Sequence, residues 1–203
     1  VRSGSGNPWV YQDELLDPNA SGGDFFGTSV AISDDGMYAV VGGPLSTGGG
    51  EVHIYTRNTT TNVWTHQQEL VGSTTISGDY FGKNVDISGD GTLVIVGANK
   101  WHDGTRYAAG AAYVFVRSGS GSNPWTEEQQ LSDPNTKSND LFGQSVAISG
   151  DGMYAIVGAS GDDAGHPVRP WPYTVVNSAG AAHIFVRSGS GSAMWVHQQE
   201  IYN

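Results

Sequence analysis

One passage of sequence is written three times in this chain, and it constrains the possible fold more than any other feature. The copies read FGTSVAISDDGMYAVVG from Phe26, FGKNVDISGDGTLVIVG from Phe81 and FGQSVAISGDGMYAIVG from Phe142. Self-similarity at a nearly regular interval is the signature of a repeat architecture, in which each unit buries its apolar face against its neighbours. A residue that recurs in every copy is most simply explained by packing that every copy requires.

Each copy predicts four short strands. In the first copy, alternation from Phe26 to Ser33 has the period of a strand, and Asp35-Gly36 then predicts a hairpin turn. The apolar run Met37–Val41 predicts a second strand that is buried on both faces. The third and fourth strands are predicted at Glu51–Arg57 and Val63–Leu70.

The other two copies follow the same plan. Their third strands are predicted at Ala112–Arg117 and Ala182–Arg187, and their fourth strands at Trp125–Leu131 and Trp195–Ile201. Four antiparallel strands per repeat are typical of a β-propeller blade. The predicted fold class is therefore all-β, with three four-stranded blades that form an incomplete ring or part of a larger propeller or assembly. We divide the chain into an outer strand of a preceding or neighbouring blade (1–20) and blades at 21–70, 71–131 and 132–203.

Residues that recur in phase are expected to serve the blades themselves. The predicted core residues between blades are Phe26, Phe81 and Phe142. The predicted packing residues of the outer strands are Trp64, Trp125 and Trp195. Histidines also recur, at His53 and His183 in third strands and at His66 and His197 in fourth strands, and their repetition predicts exposed strand positions rather than catalytic residues.

The three copies resemble the FG-GAP repeat, through the Phe-Gly pair that opens each copy and the Val-Gly pair that closes it. This resemblance implies a β-propeller like that of integrin α subunits and of many microbial and protist extracellular proteins. It implies an extracellular or cell-surface location and a structural or adhesive role. The closing Gly-Pro of the motif is kept only at Gly43-Pro44, and the other copies read Gly97-Ala98-Asn99 and Gly158-Ala159-Ser160.

Both ends of the chain repeat text from its interior. The opening VRSGSGNPWVYQDELLDPN nearly recurs from Val116, and VRSGSGSAMWVHQQEIYN runs from Val186 to the last residue. Trp9–Leu16 is therefore predicted to be a spare outer strand. Because propellers typically have about four to eight blades, two explanations stand open. The chain is a slice of a longer array, or chains join head to tail with the spare strand completing a neighbour's sheet. The expected partners are adjacent repeats or further copies of the chain.

Composition excludes several classes of protein. The formal net charge of −11 disfavours binding to nucleic acid, and the absence of cysteine excludes disulfides and thiolate sites. No apolar run approaches the roughly 20 residues of a membrane span, so we expect no membrane insertion. Two sequons, at Asn19 and Asn58, are glycosylation candidates if the chain passes through a secretory route.

Chemical motifs are sparse in this sequence. There is no G-x-S-x-G, H-E-x-x-H or P-loop pattern, so we expect no catalytic residues, no enzymatic activity and no cofactor. The D-x-D-x-D-G calcium loops of integrin-type blades are also absent. The best place for a calcium ion is the loop that contains Asp162 and Asp163, where adjacent carboxylates resemble the ligands of a hard cation.

The loops between second and third strands vary most between copies, and they carry aromatic and arginine side chains out of repeat phase. These binding candidates are Trp101, Arg106 and Tyr107 in the second copy and Arg169, Trp171 and Tyr173 in the third. Such residues are typical anchors of a protein interface, and aromatic faces also stack on sugar rings. Three alternatives remain open: loops that bury their own tryptophans, an interface between subunits or domains, and a lectin-like glycan site.

Overall fold

The structure, a computed structural model, describes residues 9–119, 121, 124–163, 179–188 and 195–202. Those residues form twelve strands and no helix, so none of them forms a helix able to cross a bilayer. The strands are β1 (Ser29–Ile32), β2 (Tyr38–Gly43), β3 (Glu51–Arg57), β4 (Trp64–Leu70), β5 (Phe81–Ile87), β6 (Leu93–Ala98), β7 (Ala111–Arg117), β8 (Trp125–Leu131), β9 (Phe142–Ile148), β10 (Tyr154–Ala159), β11 (Ala181–Arg187) and β12 (Trp195–Tyr202).

The strands form three antiparallel four-stranded sheets, ordered β1 to β4, β5 to β8 and β9 to β12. We call them blades 1, 2 and 3. Each blade has the same register shift between its third and fourth strands, after Ile54, Val114 and Ile184. The predicted all-β class with three four-stranded blades is confirmed.

The turn between the first and second strands is built identically in each blade. Ser33 Oγ donates to Asp35 Oδ1 at 2.6 Å, and Gly36 follows with a φ of 65°. A residue with a side chain disfavours this left-handed conformation, which explains the Asp-Gly signal. The turns also link the blades in series, because Asp34 N donates to Gly89 O and Gly89 N donates to Gly150 O, each at 3.0 Å.

The hydrophobic core lies between the blades. We call the face that meets the next blade along the chain the forward face, and the opposite one the back face. Two clusters fill the two interfaces. Between blades 1 and 2 the forward residues Val40, Val52, Ile54 and Leu70 meet the back residues Phe81, Val85, Phe115 and Trp125. Between blades 2 and 3 the forward residues Leu93, Ile95, Val114 and Leu131 meet Phe142, Val146, Phe185 and Trp195.

Glycines bring the backbones of neighbouring blades into direct contact. A Cβ added at Gly42 would lie 2.1 Å from the carbonyl oxygen of Gly82, and one added at Gly97 would lie 2.1 Å from that of Gly143. Only glycine fits at such an approach. The Val-Gly and Phe-Gly pairs of the repeat are therefore the two halves of one inter-blade contact.

Several detailed expectations differ from the structure. Phe81 and Phe142 are fully buried as predicted, but Phe26 is only half-buried because no described blade precedes it. The first strand of blade 1 is shortened to Ser29–Ile32. In blade 3, β10 is not buried on both faces, because no described blade follows it. Trp9–Leu16, predicted as a strand, has no strand conformation here. The division at residues 20, 70 and 131 stays a prediction.

Candidate functional site

The forward face of blade 3 is an apolar surface that no described blade covers. Val40 of β2 and Ile95 of β6 are completely buried, whereas the equivalent Ile156 of β10 is 41% exposed. Tyr154 is exposed beside it, and both line an apolar cleft of about 360 Å³ together with Ile148 and Ile184. Equivalent residues therefore differ in exposure according to whether a blade follows.

The back face of blade 1 is the complementary surface. Ala39, Val41 and Tyr55 form a small cluster there, against which Phe26, Trp64 and Leu15 pack. The hydroxyl of Tyr55 donates to Leu16 O at 2.7 Å, so the segment before blade 1 lies over this face. Val30 and Ile32 of β1 remain exposed. Leu15 packs where Leu70 and Leu131 pack in the two inter-blade clusters.

The outer strands are joined by one contact that occurs at both inter-blade interfaces. The amide of Gln129 donates from Nε2 to Trp195 O at 3.0 Å and accepts from Trp195 N at 2.8 Å. The indole of Trp195 donates to Glu128 Oε2 at 2.8 Å, as that of Trp125 donates to Gln67 Oε1 at 3.2 Å. Trp125 and Trp195 are buried, which agrees with the predicted packing of the outer strands.

The aromatic loop of blade 2 lies beside a polar cleft of about 560 Å³. Trp101 and Arg106 both line this cleft, with Asp133 and Gln130 from the opposite side. Trp101 is half-buried and packs against the core between blades 1 and 2. Arg106 pairs with Asp103 at 2.6 Å. Tyr107, by contrast, is exposed and is not among the cleft residues. Arg169, Trp171 and Tyr173 lie outside the described residues.

The loop proposed for calcium has its carboxylates close together. Asp140, Asp162 and Asp163 offer oxygens that lie within 4.8 Å of one another. Lys137 Nζ donates to Asp163 at 2.6 Å, and this bond holds the pKa of Asp163 below its usual value. Burial, together with the neighbouring Asp162 and Asp133, raises the pKa of Asp140 to about 6. A lysine thus already neutralises part of this acidic cluster.

Both sequon asparagines are exposed. Asn19 Nδ2, the atom that would carry a glycan, donates to Glu69 Oε2 at 3.1 Å. Asn58 instead uses Oδ1, which accepts from the amides of Thr60 and Thr61. The side-chain Nδ2 of Asn58, which would carry a glycan, therefore takes no part in these two hydrogen bonds.

The recurrent third-strand histidines are buried, which corrects the expectation that they are exposed. His53 and His183 have no exposed surface, and each packs edge-on against the phenylalanine of its own repeat, Phe26 or Phe142. The reason is that both residues lie on the back faces of their blades. His53 is covered by Phe26, His66 and Asp17, and His183 lies beside Phe142, His197 and Asp133. Repetition indicated a shared environment, but it did not say which face of the sheet that environment was.

Each buried histidine is surrounded by polar partners. His53 Nε2 lies 3.3 Å from Glu51 Oε1 and 3.6 Å from Asp17 Oδ1. His183 Nε2 lies 3.3 Å from Asp162 Oδ2, and its Nδ1 lies 3.9 Å from Asp133 Oδ1.

A fourth-strand histidine contacts the other ring nitrogen, because His66 Nε2 is 3.0 Å from His53 Nδ1 and His197 Nε2 is 3.3 Å from His183 Nδ1. Burial, followed by the neighbouring histidine, lowers the pKa of both His66 and His197.

A sequence signal for these clusters exists. The copies that carry His53 and His183 also carry Asp17 and Asp133 in the same Asp-Pro-Asn segment, whereas the second copy has Gly72 and Tyr113 at the two equivalent positions. Histidine and aspartate are therefore present together or absent together. Sequence reasoning missed this because the hairpin of the first and second strands separates the aspartate from the histidine in the chain.

Three stacked four-stranded antiparallel sheets define a β-propeller-type repeat protein. A model of the FG-GAP repeat matches residues 9–55, 64–115 and 125–185. The chain belongs to the FG-GAP repeat family. A comparison with curated proteins found no significant match.

Solved structures of low sequence identity are similar to this chain, and the two with TM-scores above 0.5 share its fold. Sqt1 of Saccharomyces cerevisiae is 9% identical, with a TM-score of 0.52 over 90% of this chain and 37% of that one. A protein from Lactobacillus plantarum is 17% identical, with a TM-score of 0.52 over 84% of this chain and 40% of that one. Hydrazine synthase of Kuenenia stuttgartiensis is 15% identical, with a TM-score of 0.45 over 78% and 33%. The chain spans less than half of the length of each.

Proposed function

We propose that this chain is a non-enzymatic structural or adhesive module of an extracellular or cell-surface protein, and that each of its end faces receives a further FG-GAP blade. One observation carries the proposal: Ile156 is 41% exposed at a position where Val40 and Ile95 are completely buried by the next blade. Covering this apolar surface would stabilise the assembly by the same burial that joins the blades within the chain.

The two end faces have the parts that the internal interfaces use. Gly158 of β10 is equivalent to Gly42 and Gly97, whose missing side chains admit the next backbone. Gly27, at the opposite end, is equivalent to Gly82 and has the same φ of 87°. Gln199 of β12 is exposed and equivalent to Gln129, which clasps the tryptophan of the following blade. The back face of a second copy therefore supplies the matching surface for blade 3 wherever the segment before blade 1 does not already cover it.

A single methyl group tests this assembly. In Gly158→Ala the atom closest to the new Cβ within the chain is Ser145 Oγ, a side-chain atom that can rotate away, so the fold should survive. The same Cβ would collide with the carbonyl of an added blade. We expect the unaltered chain to self-associate with rising concentration in analytical ultracentrifugation, and Gly158→Ala to remain monomeric with an unchanged melting temperature. A chain that stays monomeric at high concentration, or a variant that associates equally well, would contradict head-to-tail joining.

Two further proposals concern glycosylation of the sequons and calcium binding. Asn19 and Asn58 are exposed, so both sequons are accessible to glycosylation if the chain is secreted. Calcium remains our proposal for the Asp162–Asp163 loop, with Asp140 as a third ligand. Mass spectrometry of protein from a secretory host tests the first. A calcium titration of Asp163→Asn against the unaltered chain tests the second.

A second candidate function is glycan binding at the polar cleft beside Trp101. The half-buried indole and Arg106 line one side of a cleft that is large enough for a sugar ring, and Gln130 and Asp133 line the other. Trp171, Arg169 and Tyr173, which lie outside the described residues, belong to this proposal as the aromatic and arginine residues of the third copy. We expect Trp101→Ala or Trp171→Ala to abolish binding on a glycan array, whereas Tyr107→Ala at an exposed position outside the cleft serves as the comparison.

A further inference from the structure

Two buried side-chain clusters have no part in the blade assembly proposed above, although Asp162 of one cluster is also a ligand of the proposed calcium site. The His53 cluster consists of Asp17, Glu51 and His53, and the His183 cluster consists of Asp133, Asp162 and His183. In each cluster the three side chains offer ligand atoms within 4.8 Å of one another. Charged groups are rarely buried without a compensating partner, because removing them from water costs several kcal/mol each.

One ring nitrogen of each third-strand histidine is buried without a hydrogen bond to the described residues. His53 Nε2 is completely buried, yet it makes no hydrogen bond to any described residue, and the same holds for His183 Nε2. In the His53 cluster, Asp17 Oδ2 and Glu51 Oε1 are also buried without a hydrogen bond to the described part of the chain. Carboxylate oxygens lie 3.3 to 3.6 Å from His53 Nε2, and one lies 3.3 Å from His183 Nε2. These buried polar atoms are therefore close together without being joined by a hydrogen bond.

The spacing fits a metal ion instead. Zinc binds imidazole nitrogen and carboxylate oxygen at about 2.0–2.2 Å, so the edges of its tetrahedron are about 3.4 Å long. His53 Nε2 lies 3.3 Å from Glu51 Oε1 and 3.6 Å from Asp17 Oδ1. His183 Nε2 lies 3.3 Å from Asp162 Oδ2. These three separations match the tetrahedral edge. Asp133 Oδ1 of the His183 cluster is nearest to Nδ1 of His183, at 3.9 Å, and the three ligand atoms of each cluster lie within 4.8 Å of one another.

The opposite ring nitrogen of each histidine is held by a second histidine. His66 Nε2 is 3.0 Å from His53 Nδ1, and His197 Nε2 is 3.3 Å from His183 Nδ1. A metal-binding imidazole characteristically engages its other nitrogen in a hydrogen bond, which fixes the tautomer and the ring orientation. When Nδ1 of His53 donates to His66, the lone pair of Nε2 faces the two carboxylates and is available to a cation.

Blade 2 provides a comparison within the same chain. There Tyr113 replaces the third-strand histidine, Gly72 replaces the aspartate and Glu127 replaces the outer histidine. The tyrosine hydroxyl is satisfied by Thr74 Oγ1 at 2.8 Å. Where the histidine is missing, the carboxylate beside it is missing too. The histidine and the carboxylate of blades 1 and 3 therefore occur together, as the ligands of one site would.

We propose that the His53 and His183 clusters each bind one divalent transition-metal ion of the zinc class. Three protein ligands, one imidazole and two carboxylates, leave a fourth tetrahedral position for water. Nitrogen-containing donor sets favour such ions over calcium, which takes six to eight oxygen ligands. In blade 1 the ion joins Asp17, from the segment before the blade, to Glu51 and His53 of β3. Bound metal thus fastens this segment to the back face.

Isothermal titration of the whole chain with Zn²⁺, after treatment with a chelator, tests the proposal. We expect two bound ions per chain, one in either His53→Gln or His183→Gln, and none in the double variant. His66→Ala should keep both ions but weaken one site by about 10- to 100-fold, because it removes only the orienting contact. His102→Gln alters a histidine of blade 2 that pairs with Asp79, and it should keep both sites unchanged.

Two further measurements keep the result decisive. Where a histidine variant fails to fold by circular dichroism, Glu51→Gln and Asp133→Asn replace it, since they preserve shape and remove one ligand charge. Substitution with Co²⁺ should give the visible absorption of a tetrahedral ion. Absence of Zn²⁺ binding, binding retained in the double histidine variant, or a preference for Ca²⁺ over Zn²⁺ would overturn the proposal. Such a result would leave the proposed blade assembly untouched, because that assembly is tested by the self-association of the chain in analytical ultracentrifugation.

Discussion

Gln68 holds the main chain of Trp125 at both of its polar groups. Its Nε2 donates to Trp125 O and its Oε1 accepts from Trp125 N, each at 2.9 Å. The two residues belong to the outer strands of adjacent blades, so one amide side chain joins two sheets that share no strand pairing. The contact recurs between Gln129 and Trp195 and is thus part of the way in which these repeats stack.

Removing this amide should weaken the stack without disturbing either sheet. Gln68→Ala deletes two hydrogen bonds and leaves partners at an interface, so we expect the free energy of unfolding to fall by about 2 kcal/mol. Urea denaturation followed by tryptophan fluorescence measures the change. Gln199→Ala, at the equivalent but exposed position of blade 3, is the matched control and should cost less than about 0.5 kcal/mol. Equal losses in the two variants would show that the clasp has no stabilising role.

The repeated phenylalanines should differ in energetic weight although their sequence context is the same. Phe81 is completely buried between blades 1 and 2, so Phe81→Ala should destabilise the chain by about 3–5 kcal/mol. Phe26 is half-buried, and Phe26→Ala should cost about 1–2 kcal/mol, since part of its ring already contacts water. Thermal and urea unfolding compare the two. A larger loss at Phe26 would mean that its face is covered by something other than the described residues.

The glycine contact between blades predicts a steric effect. In Gly97→Ala the new Cβ would lie 2.1 Å from Gly143 O, so blades 2 and 3 must separate, and we expect a loss of about 3 kcal/mol or more. Gly22→Ala is the control, because an added Cβ there meets nothing within 4 Å. Differential scanning calorimetry of both variants tests this. A melting temperature for Gly97→Ala equal to that of the control would refute the close approach.

The turns between the first and second strands predict a specific pH dependence of stability. Hydrogen bonds from Ser149 Oγ and from the Met153 amide hold the pKa of Asp151 below its ordinary 3.8. Since the folded pKa is the lower one, this carboxylate contributes stability above about pH 4, and the contribution is lost as the pH falls through the folded pKa. Carbon-detected NMR titration should place Asp151 below 3.8, and Asp151→Asn should flatten that part of the acid unfolding curve. A carboxyl that titrates at or above 3.8 would contradict the turn geometry.

Much of the local structure could be read from the sequence, because its causes are local. Glu51–Arg57 and Trp125–Leu131 form strands with the predicted bounds, and the Asp35-Gly36 turn forms where its left-handed glycine demands it. The inter-blade burial of Phe81 and Phe142 followed from their recurrence. The candidate sites were harder to predict from the sequence. Trp101 and Arg106 do share a cleft, but Tyr107 lies outside it.

Sequence by itself determined that three like units exist, that each has four strands and that shared residues serve the contact between units. Only the tertiary structure decided which copy of a shared residue is covered, as Ile95 is and Ile156 is not. It also decided that His53 meets Asp17 and Glu51 in a buried cluster. The alternation of apolar residues and the residue preferences of turns depend on near neighbours in the chain. Burial, and the meeting of side chains from distant segments, depend on which sheets face each other.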